Sequence, residues 1–253
     1  MSALLRGAIF FTSMKVSYIT TETQLQEALK ELEPVSKICL DYETTGLDAR
    51  IAKPRLLQIC DTNQDEANNR TVYVFDLFKV SAVPELKKFI ESREMLIGHS
   101  LNFDLQFNLK QGIDFKGKLF DTFIAERCLR AGFKEKKIAP KTKKPYFADI
   151  SCSLKAVVSR RLDIELDKEM QVSDWSKDAL DIEQIEYAAK DVDILPFVAA
   201  SQLAELKEEG LLDIYSLESK CIRPVALMCS KGFNVDINKL QELRNRIVIK
   251  LDE

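Results

Sequence analysis

Residues 38–48 read ICLDYETTGLD, and the fold turns on how this stretch is understood. Its first residues are apolar, as in a buried strand, yet the run ends in Asp41 and Glu43, one residue apart, followed by a Thr-Thr-Gly turn. Residues i and i+2 of a strand point to the same face, so the two carboxylates project together. Their repulsion is costly unless something cationic lies between them, and a divalent metal is the natural counter-charge. Taken alone, Asp-x-Glu is equally at home at a solvated strand end.

Outward from this point, TETQLQEALKELE on the amino-terminal side has a Thr cap and apolar residues at helical spacing. On the other side, RLLQICDT and TVYVFDL predict two more strands, rich in branched residues. Three adjacent strands predict an antiparallel or mixed start to a sheet. VPELKKFIESR predicts a helix, MLIGHS a short buried strand, and NFDLQFNLKQG a helix that stops at Gly112. Alternation of sheet and helix is the pattern of α/β folds. From Phe120 onward the pattern predicts helices, interrupted by GFKEKKIAPKTKKPYFADIS, a Pro-containing, lysine-rich loop. SLKAVVSRRL, then IEQIEYAAKDVDILPFVAASQLAELKEE, then two further helices complete the chain.

With 253 residues, 46% of them hydrophobic, the chain can bury the core of one large domain with a helical appendage. Lys and Arg (37) nearly cancel Asp and Glu (40), so the net charge of −3 excludes a global basic surface, and any nucleic-acid contact has to be local. The six cysteines form no CxxC pair and mostly sit among apolar neighbours, which predicts reduced, buried thiols and a reducing, cytoplasmic compartment. No run of 18 apolar residues occurs, so no membrane span is expected. Residues 1–15 read as an amino-terminal segment outside the domain, with Met14 an alternative start.

Two further motifs carry acids. In IGHSLNFDLQFN a buried strand reaches a turn and a helix start that places Asp104 in the first helical turn, where an acid also suits the macrodipole. In EYAAKDVDIL, Tyr187 and Asp191 stand at i and i+4 and face the same way on a helix. Each is unremarkable by itself. In order, however, DYETTGL, GHSLNFD and YAAKD resemble the three exonuclease motifs of the DEDD superfamily in its tyrosine subtype. The histidine subtype would need His at 187 or one residue earlier, where the sequence has Glu186 and Tyr187. Around the third motif, LDKEMQVSDWSKDALDIEQIEYAAKDV is similar to the proofreading domains of family A DNA polymerases and, more distantly, to ribonuclease D.

The resemblance implies a ribonuclease H-like α/β domain over 16–205, a mixed sheet flanked by helices. It also implies a helical extension over 206–253 similar to the start of a polymerase thumb. The sequence carries no polymerase motif, so a polymerase partner would act in trans or form a missing carboxy-terminal portion. The implied activity is 3′-5′ exonucleolytic release of nucleoside monophosphates from single-stranded DNA ends, in proofreading or repair. The rivals are a ribonuclease D-like exoribonuclease and a module that binds nucleic acid or a polymerase without cleaving. Retention of all four acids and Tyr187 argues against the last.

The resemblance further implies two divalent ions, Mg2+ or Mn2+, which prefer oxygen ligands. Asp41 would bridge them, Glu43 and Asp191 would complete the first site, and Asp104 would hold the second. Tyr187 would orient the attacking water with Glu43. Thr44, Leu47, His99, Ser100 and Asn102 are candidate contacts to the 3′-terminal nucleotide, Ser100 standing where the family often has Asn. For Leu47, core packing is an equal alternative. The segment KEKKIAPKTKK, 134–144, holds six lysines, and its Lys141, Lys143 and Lys144 are candidates for backbone-phosphate contacts. Phe133 and Trp175 are candidates for base stacking.

Overall fold

The computed structural model describes residues 14–62, 70–166 and 173–252. Most of the amino-terminal segment expected over 1–15, and part of the stretch preceding the third motif, lie outside these. The central layer is a six-stranded mixed sheet in the order β1-β4-β3-β2-β5-β6. Its strands are β1 (Lys15–Ile19), β2 (Lys37–Thr44), β3 (Pro54–Asp61), β4 (Thr71–Asp76), β5 (Met95–Gly98) and β6 (Lys118–Asp121). β2, β3 and β4 form an antiparallel meander, and β1, β5 and β6 join parallel to β4, β2 and β5 respectively.

Helices cover both faces, as a sheet with parallel edges requires. On one face, α1 (Glu22–Leu32), α2 (Val83–Glu91) and α3 (Asn102–Lys110) pack on Ile38, Leu40, Tyr42, Leu57 and Ile59. On the other, α4 (Thr122–Arg130), α5 (Leu154–Leu162), α6 (Ile182–Asp193) and α7 (Leu195–Glu208) pack on Cys39, Leu56, Cys60 and Val74. The alternation along β2 therefore turns Asp41 and Glu43, with Cys39, toward α6. α1 starts as its sequence predicts, with a reciprocal capping box between Thr21 and Gln24.

Several expectations are corrected. Lys15–Ile19, given no element from sequence, is edge strand β1, and Phe120 lies in β6, not in a helix. The lysine-rich loop is a two-stranded hairpin, β7 (Lys134–Ile138) and β8 (Pro145–Asp149), with residues 139–144 as its turn. Pro196 in the first turn of α7 separates that helix from α6, because proline cannot donate the backbone bond that would continue it. Residue 205, where the sequence reading ends the nuclease unit, lies within α7.

α8 (Leu212–Lys231) is bound into the domain. Tyr215 Oη accepts from Asp121 N (2.9 Å), Ser219 Oγ donates to Leu119 O (2.7 Å), and Arg223 grips Asp114 through two nitrogens. α9 (Ile237–Asp252) is solvent-exposed along all its described side chains. All six cysteines are free thiols, but only Cys39 and Cys60 are buried, while Cys221 and Cys229 are exposed. Among the described residues no helix is long and apolar enough to cross a membrane.

Candidate active site

The carboxyl end of β2 and the last turns of α6 bring Asp41, Glu43 and Asp191 together, with one carboxylate oxygen from each lying within 4.8 Å of the others. Asp41 and Glu43 are half-buried and Asp191 is buried. The sequence achieves this with two periodicities: two residues in a strand and four in a helix each return a side chain to the same face. One turn before Asp191, the Tyr187 hydroxyl donates to the Asp191 carboxylate. Burial first, then the charges of Asp191, Glu43 and Asp41, push the Tyr187 phenol well above its ordinary range, so it is a neutral hydroxyl at any physiological pH.

Asp104 enters from α3 and lies outside the cluster of three, close enough to Asp41 to feel its charge. It is 1% exposed, and both carboxylate oxygens are buried without a well-formed hydrogen bond. Burial and then the Asp41 charge hold its pKa well above the usual carboxylate range, against weaker support from the amides of Asp104 and Tyr42. A buried, weakly supported acid beside three converging carboxylates is an unfavourable arrangement that added positive charge would relieve. The donors are all hard oxygens, the set preferred by Mg2+ and Mn2+. The residues present therefore fit a divalent ion, with Asp41, Glu43 and Asp191 as the group that could hold it and Asp104 near enough to Asp41 to feel its charge.

The turn joining β5 to α3 is held from below by a residue that sequence reasoning missed. The Asp121 carboxylate accepts from Ser100 N (2.9 Å), Leu101 N (2.9 Å), Phe123 N (2.9 Å) and Ile124 N (3.4 Å). It caps α4 and at the same time fixes the loop that aims Asp104. Its signal was present in the sequence, since Asp-Thr immediately precedes a helical run. Ser100 adopts a left-handed conformation, φ 66°, which Asn tolerates better than Ser, and this explains physically why Asn suits the position. His99 Nδ1 lies 2.8 Å from Thr122 Oγ1 and its ring meets Phe123 edge-on at 5.8 Å. Asn102 opens α3 with its side-chain oxygen buried and unpartnered.

Arg55 is a second missed residue. Fully buried, it pairs with Asp76 at 2.9 Å and donates to Lys177 O (2.7 Å) and Asp178 O (3.3 Å), clamping the segment that leads into α6. Leu47, on the turn after β2, is 88% exposed and is not a core residue. Thr44 Oγ1 donates to Gly46 O (2.8 Å), bracing the same turn. Trp175 is 5% exposed and packs in the core beneath α6, which removes it as a stacking platform, whereas Phe133 is 60% exposed. Lys141, Lys143 and Lys144 are exposed in the hairpin turn. Lys134 pairs with Asp149 and Lys137 with Glu135.

The 3′-5′ exonuclease family matches this chain over residues 16–204. DNA polymerase I of Aquifex aeolicus (strain VF5) is 32% identical over 252 residues, a match that covers 92% of this chain and 38% of that protein. The chain thus spans well under half the length of this relative. Escherichia coli RNase D, an exoribonuclease involved in structured RNA processing, superimposes with a TM-score of 0.65 at 22% identity, covering 84% of this chain and 51% of that one. Brucella melitensis NrnC with bound Mg2+ superimposes with a TM-score of 0.60 at 22% identity, covering 90% and 98%. At these identities the two structures establish a shared fold, the ribonuclease H-like mixed sheet flanked by helices.

Proposed function

The chain belongs to the 3′-5′ exonuclease family, and from that premise we propose that it hydrolyses single-stranded DNA from its 3′ end to nucleoside monophosphates, in proofreading or repair. The observation that carries the reading is the convergence of Asp41, Glu43 and Asp191 within 4.8 Å beside the Tyr187 hydroxyl. The DNA assignment draws on the likeness to a DNA polymerase I at 32% identity.

In this reading Asp41, Glu43 and Asp191 would hold one divalent ion, and Asp104 with Asp41 would hold a second. Such ions lower the pKa of a water and stabilise charge on the phosphoryl oxygens and on the departing 3′ oxygen. The chain's own groups supply the geometry. Glu43 and the protonated Tyr187 hydroxyl orient the attacking water, which adds to phosphorus as the 3′ oxygen leaves, so that the released nucleotide keeps a 5′ phosphate. Tyr187 acts as hydrogen-bond donor and acceptor, in keeping with the burial and neighbouring carboxylates that raise its pKa. Leu47 packs against the terminal base, and Thr44, His99, Ser100 and Asn102 contact the terminal nucleotide. The hairpin-turn lysines 141, 143 and 144 attract backbone phosphates by charge alone. Residues 16–205 form the nuclease unit and 206–253 a helical extension, a polymerase activity residing in trans or in a further carboxy-terminal portion.

A second reading, an exoribonuclease, is favoured by the shared fold with RNase D. Digestion of 5′-labelled DNA and RNA of equal length and sequence in Mg2+ separates the two. Faster trimming of DNA supports the proposal, preference for RNA replaces it with the exoribonuclease, and binding of either strand without shortening makes the chain a binding module.

A further inference from the structure

Gln58 lies in the middle of β3, in an otherwise apolar run from Leu56 to Cys60. It is fully buried, and neither Oε1 nor Nε2 of its carboxamide has a hydrogen-bond partner. In the antiparallel ladder it stands directly opposite Asp41, and opposed residues carry their side chains on the same face with Cβ atoms about 4.5–5.5 Å apart. Its same-face neighbours Leu56 and Cys60 belong to the core beneath α6, where Cys60 Sγ donates to the carbonyl of Val192, the residue after Asp191. The carboxamide is therefore enclosed between the strand and the helix that supply the three clustered acids. A buried amide without a partner destabilises the fold, and methionine or leucine would fill the same space without that penalty. Asp41 thus has two buried polar side chains beside it, the Gln58 amide from β3 and the Asp104 carboxylate from α3.

We propose that Gln58 is a positioning residue of the acidic site, whose carboxamide hydrogen-bonds Asp41 in the ion-loaded state and fixes that carboxylate toward the ion. The inference rests on the reading of Asp41, Glu43 and Asp191 as a divalent-cation site. Carboxylates that ligate metals are themselves held by hydrogen bonds from the surrounding shell, and loss of such a partner lowers affinity by roughly 10- to 100-fold. The ladder places in that position a neutral group with both donors and an acceptor uncommitted, which adds no charge to an already acidic cluster.

The test compares wild type, Gln58→Met and Gln58→Leu by calorimetric titration of the metal-free protein with Mn2+ and by thermal melting in EDTA. Failure of the wild type to bind Mn2+ overturns the cation-site reading itself, and this proposal with it. Where the wild type binds, the variants are expected to melt at or above its temperature in EDTA while their Mn2+ dissociation constants rise roughly 10- to 100-fold. Wild-type affinity in a folded variant removes Gln58 from the site. A fall in EDTA melting temperature in both variants makes Gln58 an ordinary core residue and also overturns the proposal. Should one variant alone pack poorly, the other decides.

Discussion

Replacing Asp104 by Asn should strengthen the metal-free protein while crippling it as a nuclease. The Asp104 carboxylate is 1% exposed and has two buried oxygens without well-formed hydrogen bonds. Burial and the Asp41 charge raise its pKa, so the folded state binds its proton more tightly than the unfolded state does. The group's contribution to stability is then fully present below the unfolded pKa of about 3.9 and is lost as pH rises through the folded pKa. Asn does not titrate, so the advantage of Asp104→Asn should grow with pH. An unpaired buried polar group costs about 1–3 kcal/mol and a charged one more, and an excess of about that size is equivalent to about 2–12 °C in Tm for a chain of this size. Melting of both proteins in EDTA at pH 5 and pH 8 measures this, with the larger gain expected at pH 8. Saturating Mn2+ should narrow or reverse the difference, because only the wild type has its full ligand set. A variant less stable than wild type in EDTA at pH 8 would refute the electrostatic reasoning, since Asp104 would then be held by bonds absent from the structure.

Asp41→Ala and Asp191→Ala should each slow hydrolysis by about 10²–10³-fold or more, the equivalent of roughly 3–4 kcal/mol of lost charge stabilisation, with circular dichroism unchanged; near-normal turnover in Mg2+ would break the assigned ligand group. Tyr187→Phe should lower the single-turnover rate by roughly 10²-fold and leave single-strand affinity intact, whereas lost affinity would assign the ring a structural role. Neutralising Lys141, Lys143 and Lys144 together should flatten the salt dependence of single-strand binding by about 0.7 in log-log slope for each phosphate contact removed; titrations across a salt series that give the wild-type slope would make the hairpin turn ordinary solvated surface.

What the sequence made legible follows from how local each signal is. The strand from Lys37 to Thr44 and the helix around Tyr187 declare themselves through short-range periodicity, and the face shared by Asp41 and Glu43 follows from that period alone. The hairpin was hidden because its strands, KEKKI and PYFAD, are largely exposed on both faces, so no buried side imposed an apolar alternation. β1 was missed because pairing with β4, 56 residues downstream at Lys15 and Thr71, gives it its order. The capping of α4 by Asp121 is legible locally, but its hold on Ser100 and Leu101, and the grip of Arg55 on Lys177, are contacts 20 or more residues away in sequence that no local window reveals. Gln58 left a trace, as a lone amide in an apolar strand, but its meaning required the ladder that sets it against Asp41.

The most direct test of the central claim follows a 5′-labelled single strand in single-turnover reactions with the wild type and Asp191→Ala, each in Mg2+ and in EDTA. The account predicts a ladder of products shortened one nucleotide at a time from the 3′ end, seen with the wild type in Mg2+ alone. Internal cleavage, equal trimming in EDTA, or an undiminished ladder from Asp191→Ala would contradict it.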